Sequence, residues 1–236
     1  MRGYNDAGTM RVVQCFVILV LLLSVPLHAG NEVILLDAGF DDADLAGWRT
    51  SGDLCVAPSF CAGTPSGRYW VAFSTNNAAD PITMCGSNSA GGLQSILRSP
   101  DLLFPFEPSQ IRIDFQVKFL TNENTATDLG TDLFLVRLLT LAGPVVIAAF
   151  DDSGAAPGSK NLTVAGDSRF RPSNCNPTWR YETDVLQVSY YRTFHGSISQ
   201  LMASGPVALE FSLQNHFDTD FDSAVVLDEV QLRVYP

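Results

Sequence analysis

Between Ile111 and Phe119 every second residue is large and apolar. Ile111, Ile113, Phe115, Val117 and Phe119 alternate with Arg112, Asp114, Gln116 and Lys118. A two-residue period puts the first set on one face of a strand and the second on the other. A helix cannot use this pattern, because its 3.6-residue period would scatter both sets around the axis. Val207, Leu209, Phe211 and Leu213 repeat the alternation. Further strands are predicted at 33–36, 68–74, 93–98, 133–139, 145–150, 185–194 and 224–235. Stretches rich in Gly, Pro, Asn, Asp and Ser separate them, at 51–67, 75–92, 121–132, 151–160 and 166–178. A turn around 197–203 is the one helical candidate. Strands without alternating helices imply an all-β fold, a two-sheet antiparallel β-sandwich with one face of a sheet on the core and one in water.

The alternation begins only after the first 30 residues. Arg11 precedes an apolar run over 12–29 that ends in small residues, the pattern of a secretory signal peptide, with cleavage after Ala29 or Gly30. The run falls short of the ~20 residues that span a bilayer, and Pro26 and His28 close it. No second apolar span follows. The expectation is a signal peptide over 1–29, a single domain over 30–236, and a secreted or periplasmic product with no membrane span after cleavage.

Charge narrows the partners. There are 14 Lys+Arg against 25 Asp+Glu, a net charge of −11. Such a chain, with Lys118 and Lys160 its only lysines, is a poor match for nucleic acid. Cys15 lies in the signal, which leaves Cys55, Cys61, Cys85 and Cys175. An even set in an exported chain reads as two disulfides, with three possible connectivities. The short Pro-containing loop from Cys55 to Cys61 favours a local pair, leaving Cys85 with Cys175. Zinc fits poorly, since no pair has CxxC spacing and only His195 and His216 remain.

Plain alternation in the last strand places Val226, Asp228, Val230, Leu232 and Val234 in one row. A carboxylate in an aliphatic row is costly unless it is paired or binds a metal. A bulge that turns it outward, or an arginine partner, would also resolve the conflict. Asp41 and Asp42, then Glu123, Asp128 and Asp132, then Asp218, Asp220 and Asp222 offer the oxygen ligands that calcium prefers. The run Asp218-x-Asp220-x-Asp222 lacks the glycine and bidentate glutamate of an EF-hand. Trp48 and Trp70 read as core. Tyr190 and Tyr191 are candidates to stack on a sugar, as are Trp179 and Tyr181, which follow the loop 171–178 and so lie nearer a rim. Catalytic signatures are weak. There is no GxSxG elbow, and Gly166-Asp-Ser168 lacks a following helix. Asn161-Leu-Thr163 is a glycosylation sequon.

Leu35-Leu-Asp-Ala-Gly-Phe-Asp-Asp-Ala-Asp-Leu-Ala-Gly-Trp48 resembles the opening of bacterial extracellular jelly rolls, a strand followed by Phe-Asp and Gly-Trp. Asp222-Ser-Ala-Val-Val-Leu-Asp-Glu-Val-Gln-Leu232 resembles their closing strand, with Glu229 where Asn or Asp is usual. Phe119-Leu-Thr-Asn-Glu123 and Asp132-Leu-Phe-Leu-Val136 resemble their middle. The relatives are jelly rolls similar to carbohydrate-binding modules. The resemblance implies adjacent first and last strands, with a structural calcium ion where they meet, so that Asp41 or Asp42 approaches Asp228. It also implies a non-catalytic binding module for a glycan or cell-surface polymer. The alternatives are a structural or matrix protein and, least favoured, a glycan-processing enzyme with paired carboxylates.

Overall fold

The computed structural model describes residues 32–58, 69–75, 94–122, 132–151, 161–174, 179–194, 205–215 and 223–236. The expected signal peptide lies outside them. So do Cys61, Cys85, Cys175, Glu123, Asp128, Asp218, Asp220, Asp222, His195, His216 and the turn at 197–203. Glu32–Pro236 forms one compact unit.

Two antiparallel sheets make up the sandwich. The larger has nine strands: β1 (Val33–Ala38), β3 (Asp53–Pro58), β4 (Tyr69–Ser74), β6 (Gln110–Thr121), β9 (Leu162–Ala165), β10 (Arg171–Pro172), β11 (Tyr181–Glu182), β12 (Leu186–Thr193) and β14 (Ser223–Tyr235). The smaller has five, in the order β2 (Arg49–Ser51), β5 (Gln94–Arg98), β13 (Ala208–Gln214), β7 (Leu133–Thr140) and β8 (Gly143–Phe150). β6 and β14 run side by side through the middle of the larger sheet. Each hosts two shorter partners end to end on its far edge. β12 and β11 lie along β6, and β4 and β1 lie along β14.

The main core lies between the sheets. Phe115, Val117, Leu209 and Phe211 are buried there as the alternation predicts, with the rings of Phe115 and Phe211 edge to face at 5.6 Å. A smaller cluster forms on the other side of the larger sheet, where Trp70, Ala72, Leu120, Ala224 and Val226 pack with Trp179.

Three expectations need correction. The predicted loop over 51–67 contains a strand, β3, whose Asp53-Leu-Cys-Val-Ala-Pro58 pairs in register with β4. Alternation is hard to read there because the segment packs partly on both faces. Lys118 was expected in water but is 1 % exposed, because the second cluster covers that end of β6, and it pairs with Glu182 at 3.2 Å. The third correction concerns Asp228.

Candidate functional site

A break in the sheet positions the carboxylate of Asp228. β4 pairs with 224–227 of β14, and β1 takes over from Val230. Asp228 and Glu229 fall between the two partners. The register with β6 shifts between Asp228 and Gln231, and Glu229 has φ +51°. This is a bulge, and it reverses the alternation. Val225 and Leu227 face the main core before it, and Val230, Leu232 and Val234 after it, whereas Val226 packs on the opposite side. The row expected from plain alternation is therefore split. Asp228 leaves the aliphatic face and lies opposite Gln116.

Turning outward does not expose it, since Asp228 is 0 % exposed. One carboxylate oxygen accepts the Glu229 N–H at 2.8 Å. The other is buried with no hydrogen-bond partner among the described residues. Burial pushes the carboxyl up to about 7. The Glu229 N–H opposes the rise, and the charges of Glu229 and Asp41 add to it. Among the described residues no cation acts on it. A desolvated carboxyl beside like charges behaves in this way.

The loop after β1 brings Asp41 into range. Phe40 and Ala43 have φ +51° and +55°, and the Ala43 N–H closes a turn on the Phe40 carbonyl at 2.9 Å. The Phe40 ring is buried and tilts against Trp48 at 5.6 Å. That anchor fixes the neighbouring Asp41. Asp42 is exposed on the same turn and is not among the charges acting on Asp228. Asp132 lies elsewhere, accepting a hydrogen bond from Thr75 at 3.0 Å. Among the described residues no three acidic, histidine or cysteine side chains gather as a metal cluster.

The larger sheet also carries a polar face that the sequence reading did not single out. By register, Gln187, Ser189 and Tyr191 of β12, Arg112, Asp114 and Gln116 of β6, and Gln231 and Arg233 of β14 share the side away from the core. Asp114 is the hub. It accepts from Arg112 Nε at 3.0 Å and from the Ser189 hydroxyl, and Arg233 lies 3.8 Å away. Gln231 donates to Asp37 at 3.0 Å. Tyr191 is 47 % exposed. The alternation Arg112-x-Asp114-x-Gln116 was the available signal, read only as a solvated face.

The expected sugar-stacking pair does not form. Trp179 is 3 % exposed and is a member of the second cluster, so its ring is a core side chain and not an open platform. Tyr181 is half-buried opposite Thr121, on the other side of the sheet from that cluster. Cys55 lies half-buried on β3, and its three candidate partners are outside the described residues. No helix among the described residues is long and apolar enough to cross a membrane.

The fold is a two-sheet antiparallel β-sandwich. No protein-family model and no curated protein matches the sequence. Solved structures similar to it include the K1 cleaved adhesin domain of Lys-gingipain from Porphyromonas gingivalis W83, at 13 % identity and TM-score 0.47, covering 87 % of this chain and 99 % of that one. The CBM22-1 xylan-binding domain of Paenibacillus barcinonensis Xyn10C is similar at 15 % identity and TM-score 0.37, covering 87 % and 97 %. The CBM22-1–GH10 modules of Clostridium thermocellum xylanase 10B, solved with xylohexaose, are similar at 12 % identity and TM-score 0.41. There the likeness takes in 85 % of this chain but 28 % of the xylanase chain.

Proposed function

We propose that the chain is a secreted, non-catalytic glycan-binding module whose ligand lies on the polar face of the larger sheet. The network around Asp114 carries this reading. Planar guanidinium, amide and carboxylate groups hold one another in place on a rigid sheet, beside an exposed tyrosine ring. Sugars call for donors and acceptors fixed in advance together with an apolar ring face. Groups already held by neighbours lose little freedom on binding. Of the similar structures, one is a xylan-binding domain and another was solved with xylohexaose, so xylan is the first glycan to try. The test is a glycan array followed by titration of the best ligand. Tyr191→Ala and Asp114→Ala should each weaken binding by about tenfold or more, the size of a lost charge-assisted contact. Wild-type affinity in both variants would remove this face from the reading.

A calcium ion at the bulge belongs to the same proposal. The support is the buried Asp228 oxygen that lacks a hydrogen-bond partner. Asp228 and Asp41 would hold the ion, with backbone carbonyls of the opening loop making up the oxygen set that calcium needs. Its role would be structural, tying the loop after β1 to the last strand.

A further inference from the structure

The smaller sheet carries charge in an arrangement that fold stability does not explain. Arg49 of β2 lies directly opposite Arg98 of β5, Arg98 opposite Glu210 of β13, and Glu210 opposite Arg137 of β7. The four form one row across four strands, on the face turned away from the core. Like charges directly opposite on neighbouring strands destabilise a sheet, yet Arg49 and Arg98 are kept so. Asp101 reaches both, at 3.5 and 3.6 Å, and Glu210 takes Arg137 at 2.5 Å. Among the described residues, three guanidinium groups thus share two carboxylates. The Nε of Arg98 and the Nε of Arg137 are buried without an acceptor among the described residues. The adjacent row offers Ile96 and Leu135 on either side of a fully buried Ser212. An apolar border of this kind strengthens charge-assisted hydrogen bonds.

We infer that this row is a second binding site, separate from the polar face of the larger sheet, and that it takes an oxyanion carried on an acidic glycan, a uronate carboxylate or a sulfate. The excess guanidinium charge recognises a planar or tetrahedral oxyanion, and guanidinium is the side chain suited to bidentate contact with either. Side-chain exposure grades from Arg49 at 64 % through Arg98 at 34 % to Arg137 at 24 %. A ligand can therefore enter from the β2 edge and reach inward to the deeper groups. A molecule of net charge −11 repels anionic polymers as a whole. Retention by one therefore reports a local site.

The test is electrophoresis of the whole protein through native gels containing polygalacturonate, dextran sulfate or neutral xylan, followed by calorimetric titration. Retardation in either anionic gel supports the site, and the gel that retards names the oxyanion. Arg98→Gln and Arg49→Gln should each weaken that binding by about tenfold, while leaving any binding to xylan unchanged. Both positions are open enough that their carboxylate partner, Asp101, stays solvated in the variants. Arg137→Gln strands the mostly buried Glu210, so it is paired with Glu210→Gln, and the double variant should also lose retardation. No retardation in either anionic gel, or retention equal to wild type in Arg98→Gln and Arg49→Gln, overturns the inference. Failure of the xylan arm alone bears on the larger sheet and leaves this site standing.

Discussion

Asp228 joins the strain of the fold to its proposed ion. Its carboxyl is pushed up to about 7, chiefly by burial. The unfolded chain ionises near the ordinary aspartate value of about 4. Below that both states hold the proton, and the residue is neutral to stability. Between about 4 and 7 the unfolded chain releases the proton while the folded one keeps it, so stability falls as pH rises and then levels off. In chelator, Asp228→Asn should therefore match wild type at pH 4. At pH 8 it should be the more stable, by on the order of 4 kcal/mol, seen as a higher melting temperature. Millimolar calcium should narrow that gap by raising the wild type alone, by about 2.7 kcal/mol at a hundredfold excess over the dissociation constant. If wild type melts alike in chelator and in calcium, no ion binds there.

At the level of elements, the bulge at Asp228–Glu229 decides what each strand residue faces. Glu229 holds φ +51°, which costs a residue with a side chain about 1–2 kcal/mol. Glu229→Gly should keep or raise the melting temperature, whereas Glu229→Val, β-branched, should lower it. Equal effects would mean that the backbone there relaxes freely. The alternation elsewhere gives a paired test. Phe211→Ala opens a cavity between the sheets and should cost about 3–5 kcal/mol in chemical denaturation. Gln116→Ala, on the polar face, should change stability by about 0.5 kcal/mol or less. Similar losses would mean that both faces of β6 are closed at that point.

These elements also show what the sequence could and could not convey. The rows of β6 and β13 were legible because each keeps a strict two-residue period over a buried face. The row of β14 was misread at Val226 and Asp228, since a bulge leaves no mark in composition and Glu229 is not a glycine. The cost of Asp228 was legible, but not the way the fold turns it aside. Lys118 and Trp179 were misplaced for a common reason. Both belong to a second packed layer on the outside of the larger sheet, and a period-two pattern reports one buried face at a time. The polar face around Asp114 was legible only as the solvated side of β6, and the row through Arg98 not at all, because their members come from separate strands and only register brings them together.

On the scale of the molecule, Cys55 bears on covalent bracing. We expect Cys55–Cys61 and Cys85–Cys175 bridges, each contributing about 2–4 kcal/mol. Peptide mass mapping without reduction should find both, and free thiols at Cys85 and Cys175 would sink the second. The strand order carries a different consequence. β14 is the last strand in the chain, yet it lies inside the larger sheet, with β6 on one edge and β4 and β1 on the other. Until residues 223–235 have been made, β1 and β4 each lack the neighbour that joins them to β6, although they are synthesised early. Before that, the sheet consists of separate parts: β6 with β9–β12, the β3–β4 pair, and β1. The larger sheet becomes continuous only where β14 lies between β6 on one side and β4 and β1 on the other.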